Sequence, residues 1–127
     1  MKYLQFVSAA FLAIILIACG AGHPNLTSIT VTPQTATTTS SPQGQVGYTA
    51  QGNFDNNTSR ELSQVDGLSW KTSTTAATIG SIGEATCVAP GTVTVTASAP
   101  ENLQVTVNNG VQNTAPTVSG TATLTCQ

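Results

Sequence analysis

The chain has 127 residues, 39% hydrophobic and only 6% charged, with three Lys or Arg against five Asp or Glu. So few cations exclude nucleic acid as a partner, because displacing counterions from a phosphate backbone takes several Lys or Arg acting together. The length suits one small domain, and threonine- and valine-rich segments without runs of helix formers point to strands.

Met1, Lys2 and Tyr3 form a short n-region with one positive charge, followed by a largely apolar run from Leu4 to Ile17. As a helix rising about 1.5 Å per residue, this run spans roughly 21 Å, short of the roughly 30 Å hydrocarbon core. It reads as the h-region of a signal peptide rather than a permanent span. It ends in Leu16-Ile17-Ala18-Cys19-Gly20, which resembles the lipobox of bacterial lipoproteins. The resemblance implies removal of residues 1–18 and transfer of diacylglycerol to the Cys19 sulfur, with acyl chains of the palmitate kind holding the protein at a membrane. A cleaved signal with a chance cysteine is the alternative. Two or three acyl chains anchor durably, at about 0.8 kcal/mol for each buried CH₂ group. Gly20 in place of an aspartate resembles lipoproteins sent to the outer membrane of diderm bacteria, which implies a cell-envelope location.

After Cys19, residues 20–25 form a tether that reaches at most about 20 Å. His23, the only histidine, lies in this tether and reads as a solvated linker residue. The domain proper is expected over residues 26–127. Three cysteines would leave one thiol unmatched in an exported protein; with Cys19 lipidated, Cys87 and Cys126 remain as an even pair where disulfides are permitted.

From Leu26 onward, short alternating segments separated by turn residues predict an all-β sandwich or barrel. Ile29 and Val31 share a face until Pro33 interrupts the ladder, and a second strand sets Val46, Tyr48, Ala50, Gly52 and Phe54 on one face. Leu68 with Trp70, then Ala77 with Ile79, mark a third and a fourth, and Glu84 to Ala89 a fifth. Pro90-Gly91 turns into Val93, Val95, Ala97 and Ala99, with Thr92, Thr94 and Thr96 outward. The last strand carries Val118, Gly120, Ala122, Leu124 and Cys126 inward. Seven such segments suit an immunoglobulin-like sandwich. Within 101–116, Leu103 to Val107, Asn109-Gly110 and Val111 predict an added hairpin before the last strand, since Asn-Gly favours a type I′ turn.

In order and spacing, several segments resemble a bacterial immunoglobulin-like domain of group 2. They are Leu26-Thr-Ser-Ile-Thr-Val-Thr-Pro33, the strand ending near Phe54, Leu68-Ser-Trp70 with Ser73, and Ala77-Thr-Ile79. Val88-Ala-Pro-Gly91, Thr92-Val-Thr-Val-Thr-Ala97 and Gly120-Thr-Ala-Thr-Leu124 complete the set. The insertion over 101–116 and the cysteine pair depart from that pattern. The resemblance brings no catalytic residues and implies a spacer, adhesion module or binding unit.

Sandwich connectivity puts Cys87 and Cys126 near one pole with inward parity, so an inter-sheet disulfide is expected; two buried thiols or a redox switch are the alternatives. No nucleophile with a base, paired carboxylates or metal set is assembled in the sequence, so neither catalysis nor a cofactor is expected. Asp55-Asn56-Asn57 with Asp66 could offer oxygen ligands to calcium, but Arg60 stands where an EF-hand needs glycine, and a polar turn accounts for the segment. The segment from Asp55 to Lys71 is rich in charge and reads as a solvated loop. Trp70 reads as a core residue by its parity with Leu68, with ligand stacking as the alternative, and β-propensity accounts for the outward threonines without a sugar. The chain is thus read as a non-catalytic, lipid-anchored envelope protein with a binding or adhesion domain, its partner an envelope protein or a glycan. The alternative is a structural accessory or spacer in a larger surface assembly.

Overall fold

A computed structural model of the chain describes residues 24–103 and 116–127. The signal segment, Cys19, His23 and the turn of the expected added hairpin at Asn109-Gly110 lie outside the described residues. The described residues form ten strands and a short 3-10 turn. In chain order the strands are β1 (Leu26–Thr32), β2 (Thr35–Thr38), β3 (Gln45–Gly47), β4 (Thr49–Phe54) and β5 (Ser59–Glu61). After the turn at Gln64–Asp66 come β6 (Ser69–Thr72), β7 (Ala77–Ile79), β8 (Glu84–Cys87), β9 (Gly91–Pro100) and β10 (Thr117–Cys126).

The chain is an all-β sandwich. One layer holds the four-stranded sheet β2-β10-β9-β6, and the other holds two three-stranded sheets, β1-β4-β5 and β3-β8-β7, joined because β3 runs into β4 through Tyr48. All pairings are antiparallel except β2 with β10.

All seven expected segments carry strands, and the additional ones arise where the chain changes partner. Pro33 has no N–H to give to a ladder. There the chain leaves β4, which pairs with β1, and as β2 joins β10 in the other layer. The expected second strand is divided at Tyr48, and β5 follows a tight hairpin after Phe54.

The inward parities hold along the strands. Val93, Val95, Ala97 and Ala99 of β9 and Ala122, Leu124 and Cys126 of β10 are buried, while Thr92, Thr94, Thr121 and Thr123 are exposed. Strict alternation from Ile29 would put Thr27, not Leu26, inside. A register shift between Leu26 and Ser28 turns Leu26 into the core instead. At Gly120 the β1 backbone crosses so close that a Cβ would strike the Ile29 carbonyl oxygen. That contact lets the two layers approach, as the many buried alanines also do.

Cys87 of β8 and Cys126 of β10 form a disulfide across the layers, with Cα atoms 5.6 Å apart and both residues buried. Cys126 faces Gly91 at the start of β9, so the bridge closes the pole where β8 turns into β9. In the chain-entropy account, closing a 39-residue separation stabilises the fold by about 4 kcal/mol. Denaturant unfolding with and without reductant should therefore show a loss of about that size on reduction. A midpoint unchanged by reduction would contradict a structural role for the bridge.

Candidate functional site

An opening into the core arises from how β3 and β4 share one edge. β5 pairs with Gln51–Asn53 and β8 with Gln45–Gly47. At the ends of these ladders the Leu62 N–H donates to the Ala50 carbonyl and the Tyr48 N–H to the Gly83 carbonyl, both 2.8 Å. Backbone groups of alternate residues point the same way, so Tyr48 and Ala50 face one edge, and between their two partners no strand covers it.

A cavity of about 360 Å³ occupies the gap, within the range of small-ligand sites. Its apolar wall is Tyr48, Ala50, Leu62, Leu68 and Trp70. Tyr48 and Trp70 stand with ring centroids 6.5 Å apart, tilted by 46°. Trp70 packs on the core, as its parity predicts, but is only partly buried and also lines the opening. Val65 and Ile82 flank the cavity at 76% and 77% exposure. Only three large hydrophobic residues are exposed among the described residues, and the third, Val88, lies elsewhere.

The Tyr48 hydroxyl is the one buried side-chain polar atom without a hydrogen-bond partner among the described residues. Its burial pushes the phenol pKa up. A second groove, of about 510 Å³, runs along β6 and β7, with walls mostly of threonine and serine from Thr72 to Thr78.

The segment expected to be a solvated loop is more ordered than its composition suggests. Asn57, with φ of 63°, closes the β4–β5 hairpin, in which the Phe54 N–H donates to the Thr58 carbonyl. Leu62 and Leu68 are buried on either side of the 3-10 turn. Asp66 braces that turn: it accepts from the Ser63 N–H at 3.0 Å and from both arms of the Arg60 guanidinium at 3.0 and 2.7 Å. Arg60 also lies over the Phe54 ring, 5.5 Å from its centroid. These contacts hold Val65 at the mouth of the cavity.

Asp55 and Asp66, weighed together for calcium, are engaged separately. Asp55 accepts from the Asn25 N–H at 3.1 Å, and Asp66 is paired with Arg60. No group of three or more His, Cys, Asp or Glu that could hold a metal ion occurs among the described residues. Nor is any described helix long and apolar enough to cross a membrane.

Sequence reasoning missed Leu62, Val65 and Ile82 as residues of one site. The available signal was a lone leucine at 62 and a lone valine at 65 inside a polar segment, a pattern that does not say which one is buried. No protein-family model matches the chain, and no curated protein sequence does either.

The Arg60 hydrogen bonds hold the Asp66 carboxyl below the usual carboxylate range, against a smaller opposing effect of burial. A lowered folded-state pKa gives stability that is present above the unfolded value of about 3.9 and is lost as pH falls through the folded value. Arg60 is half exposed, so solvent screening limits the pair to about 0.5–1 kcal/mol. Asp66→Asn should cost about that much at pH 7, by denaturant melts, and the difference should vanish near about pH 2. An equal deficit at both pH values would show that the charge is not what braces the turn.

Proposed function

We propose that this chain is a lipid-anchored cell-envelope protein whose single domain, of the bacterial immunoglobulin-like group 2 kind, is a non-catalytic binding or adhesion module. The observation that carries the binding role is the cleft at Tyr48 and Trp70, flanked by two exposed apolar side chains. A monomeric domain leaves such a patch uncovered at a cost in solubility, and a partner that covers it removes the cost.

The anchoring half of the proposal rests on the Leu16-Ile17-Ala18-Cys19 lipobox, with diacylglycerol on Cys19. At the start of the described residues the Asn25 N–H is fixed to Asp55 and the Leu26 N–H to the Glu101 carbonyl. A lipid on Cys19, on a tether of at most about 20 Å, sets that pole toward the bilayer and the disulfide pole away from it. With Gly20 after the cysteine, the outer membrane is the destination in a diderm cell.

Val65 and Ile82 also favour a second reading, a structural accessory held in a larger surface assembly through the same face. Two measurements on cells expressing the full chain separate these readings. Labelled palmitate should enter the wild type and not Cys19→Ser; absence of label in the wild type overturns the anchor. A glycan array probed with the extracted lipoprotein, beside crosslinking in the envelope, addresses the domain. Saturable binding to a defined glycan or envelope protein, lost in Ile82→Ser, supports a binding module. Constant stoichiometry with one protein whose assembly fails without the chain supports the accessory reading instead.

A further inference from the structure

We infer that the cleft at Tyr48 and Trp70 is a binding site for a small organic cation: an apolar, ring-sized body carrying an ammonium group. The inference rests on the binding role proposed above and names the chemistry of its ligand. Three observations converge on it.

The first is size and lining. A cavity of about 360 Å³ walled by Leu62, Leu68, Trp70 and Tyr48 takes the body of a small ligand, and gains most from an apolar one. Val65 and Ile82 extend that surface out to solvent, so a seated ligand also covers apolar area that the free protein leaves wet.

The second is charge. Glu61 is the only charged residue along the walls, and its carboxylate makes no ion pair among the described residues. Arg60, its neighbour in sequence, is committed to Asp66 through both arms of its guanidinium. Exposed Glu61 therefore sets an uncompensated negative charge beside the cleft, which disfavours carboxylates and phosphates and favours an ammonium.

The third is the aromatic pair. Tyr48 is buried, and Trp70, the partly exposed ring of the pair, lines the cleft. A cation held over an indole face is stabilised by the ring quadrupole, more so when partly shielded from water. Carboxylate and indole thus favour the same sign of ligand charge. The apolar wall requires that the charge sit on a body with something to bury.

Trp70 is the only tryptophan in the chain, so its fluorescence reports on the cleft directly. The test titrates the full chain in lipid nanodiscs with phenethylamine, its neutral counterpart 2-phenylethanol and its anionic counterpart phenylacetate. Phenethylamine should change Trp70 emission saturably, bind about three- to fivefold more tightly than 2-phenylethanol, and lose that advantage in Glu61→Gln. Phenylacetate should bind more weakly than both. Ile82→Ser, at a position too exposed to disturb folding, should weaken all the binding that remains.

No saturable response to phenethylamine, or equal affinity for all three compounds, overturns the inference. So does an unchanged preference in Glu61→Gln. If these probes fail while a glycan or envelope protein still binds the wild type and not Ile82→Ser, the organic-cation inference falls and the binding module stands. If nothing binds in either experiment, both fall.

Discussion

The stretch from Gln45 to Phe54 must serve two sheets at once, and the turnover between them at Tyr48 shapes the rest of the molecule. Val46 pairs with Ala85 of β8, while Gly52 pairs with Arg60 of β5. A single long partner along that edge would have sealed it. With two short partners, the hydrogen bonds from Tyr48 to Gly83 and from Leu62 to Ala50 become the ends of separate ladders, and the core is reachable between them. The cleft is thus a consequence of strand pairing. What gives it chemical character is that an aromatic pair stands behind it and a carboxylate beside it.

The two layers hold together with small side chains. Ala77, Ala85, Ala97, Ala99 and Ala122 are all buried, and Gly120 admits the β1 backbone. Alanines bring the sheets close but remove little apolar area from water per residue, so burial alone stabilises this core modestly. The Cys87–Cys126 bridge compensates at the pole where β8, β9 and β10 meet. At the other end, Asp55 and Glu101 fix the backbone where β1 begins. The cleft lies between these constraints, walled by a turn that Arg60 and Asp66 brace from outside.

Much of the fold was legible because strands of a sandwich write their burial into alternate residues. Val93 to Ala99 and Ala122 to Cys126 could be assigned to the core by parity alone, and the cysteine pair followed from connectivity. Pro33 announced a break, though not that the chain would cross to the other layer and pair in parallel with β10. Short edge strands are harder to see: Ser59-Arg60-Glu61 has no apolar residue, so β5 is visible only through its hydrogen bonds to β4. The bulge that turns Leu26 inward breaks the period on which parity depends. The cleft was not legible, because its residues come from 48–50, 61–70 and 81–82, and only tertiary pairing brings them together. Tyr48, Ala50 and Leu68 were expected only as core residues; Trp70 was the one member also weighed as a ligand contact, and its position at an opening qualifies its reading as a core residue.

The junction between Tyr48 and Gly83 creates the cleft and holds Trp70 in its wall. Gly83 has φ of 83°, and a Cβ there would strike the Tyr48 carbonyl oxygen and come within 3.0 Å of the Trp70 ring. Gly47, one residue before Tyr48, has open space around the position a Cβ would take, with nothing within 4 Å, and serves as the matched control. The direct measurement compares Gly83→Ala with Gly47→Ala by Trp70 emission and denaturant unfolding. Gly83→Ala should shift the emission and lose about 1–3 kcal/mol, while Gly47→Ala should leave the emission unchanged. If the two variants behave alike, the junction does not hold the site together.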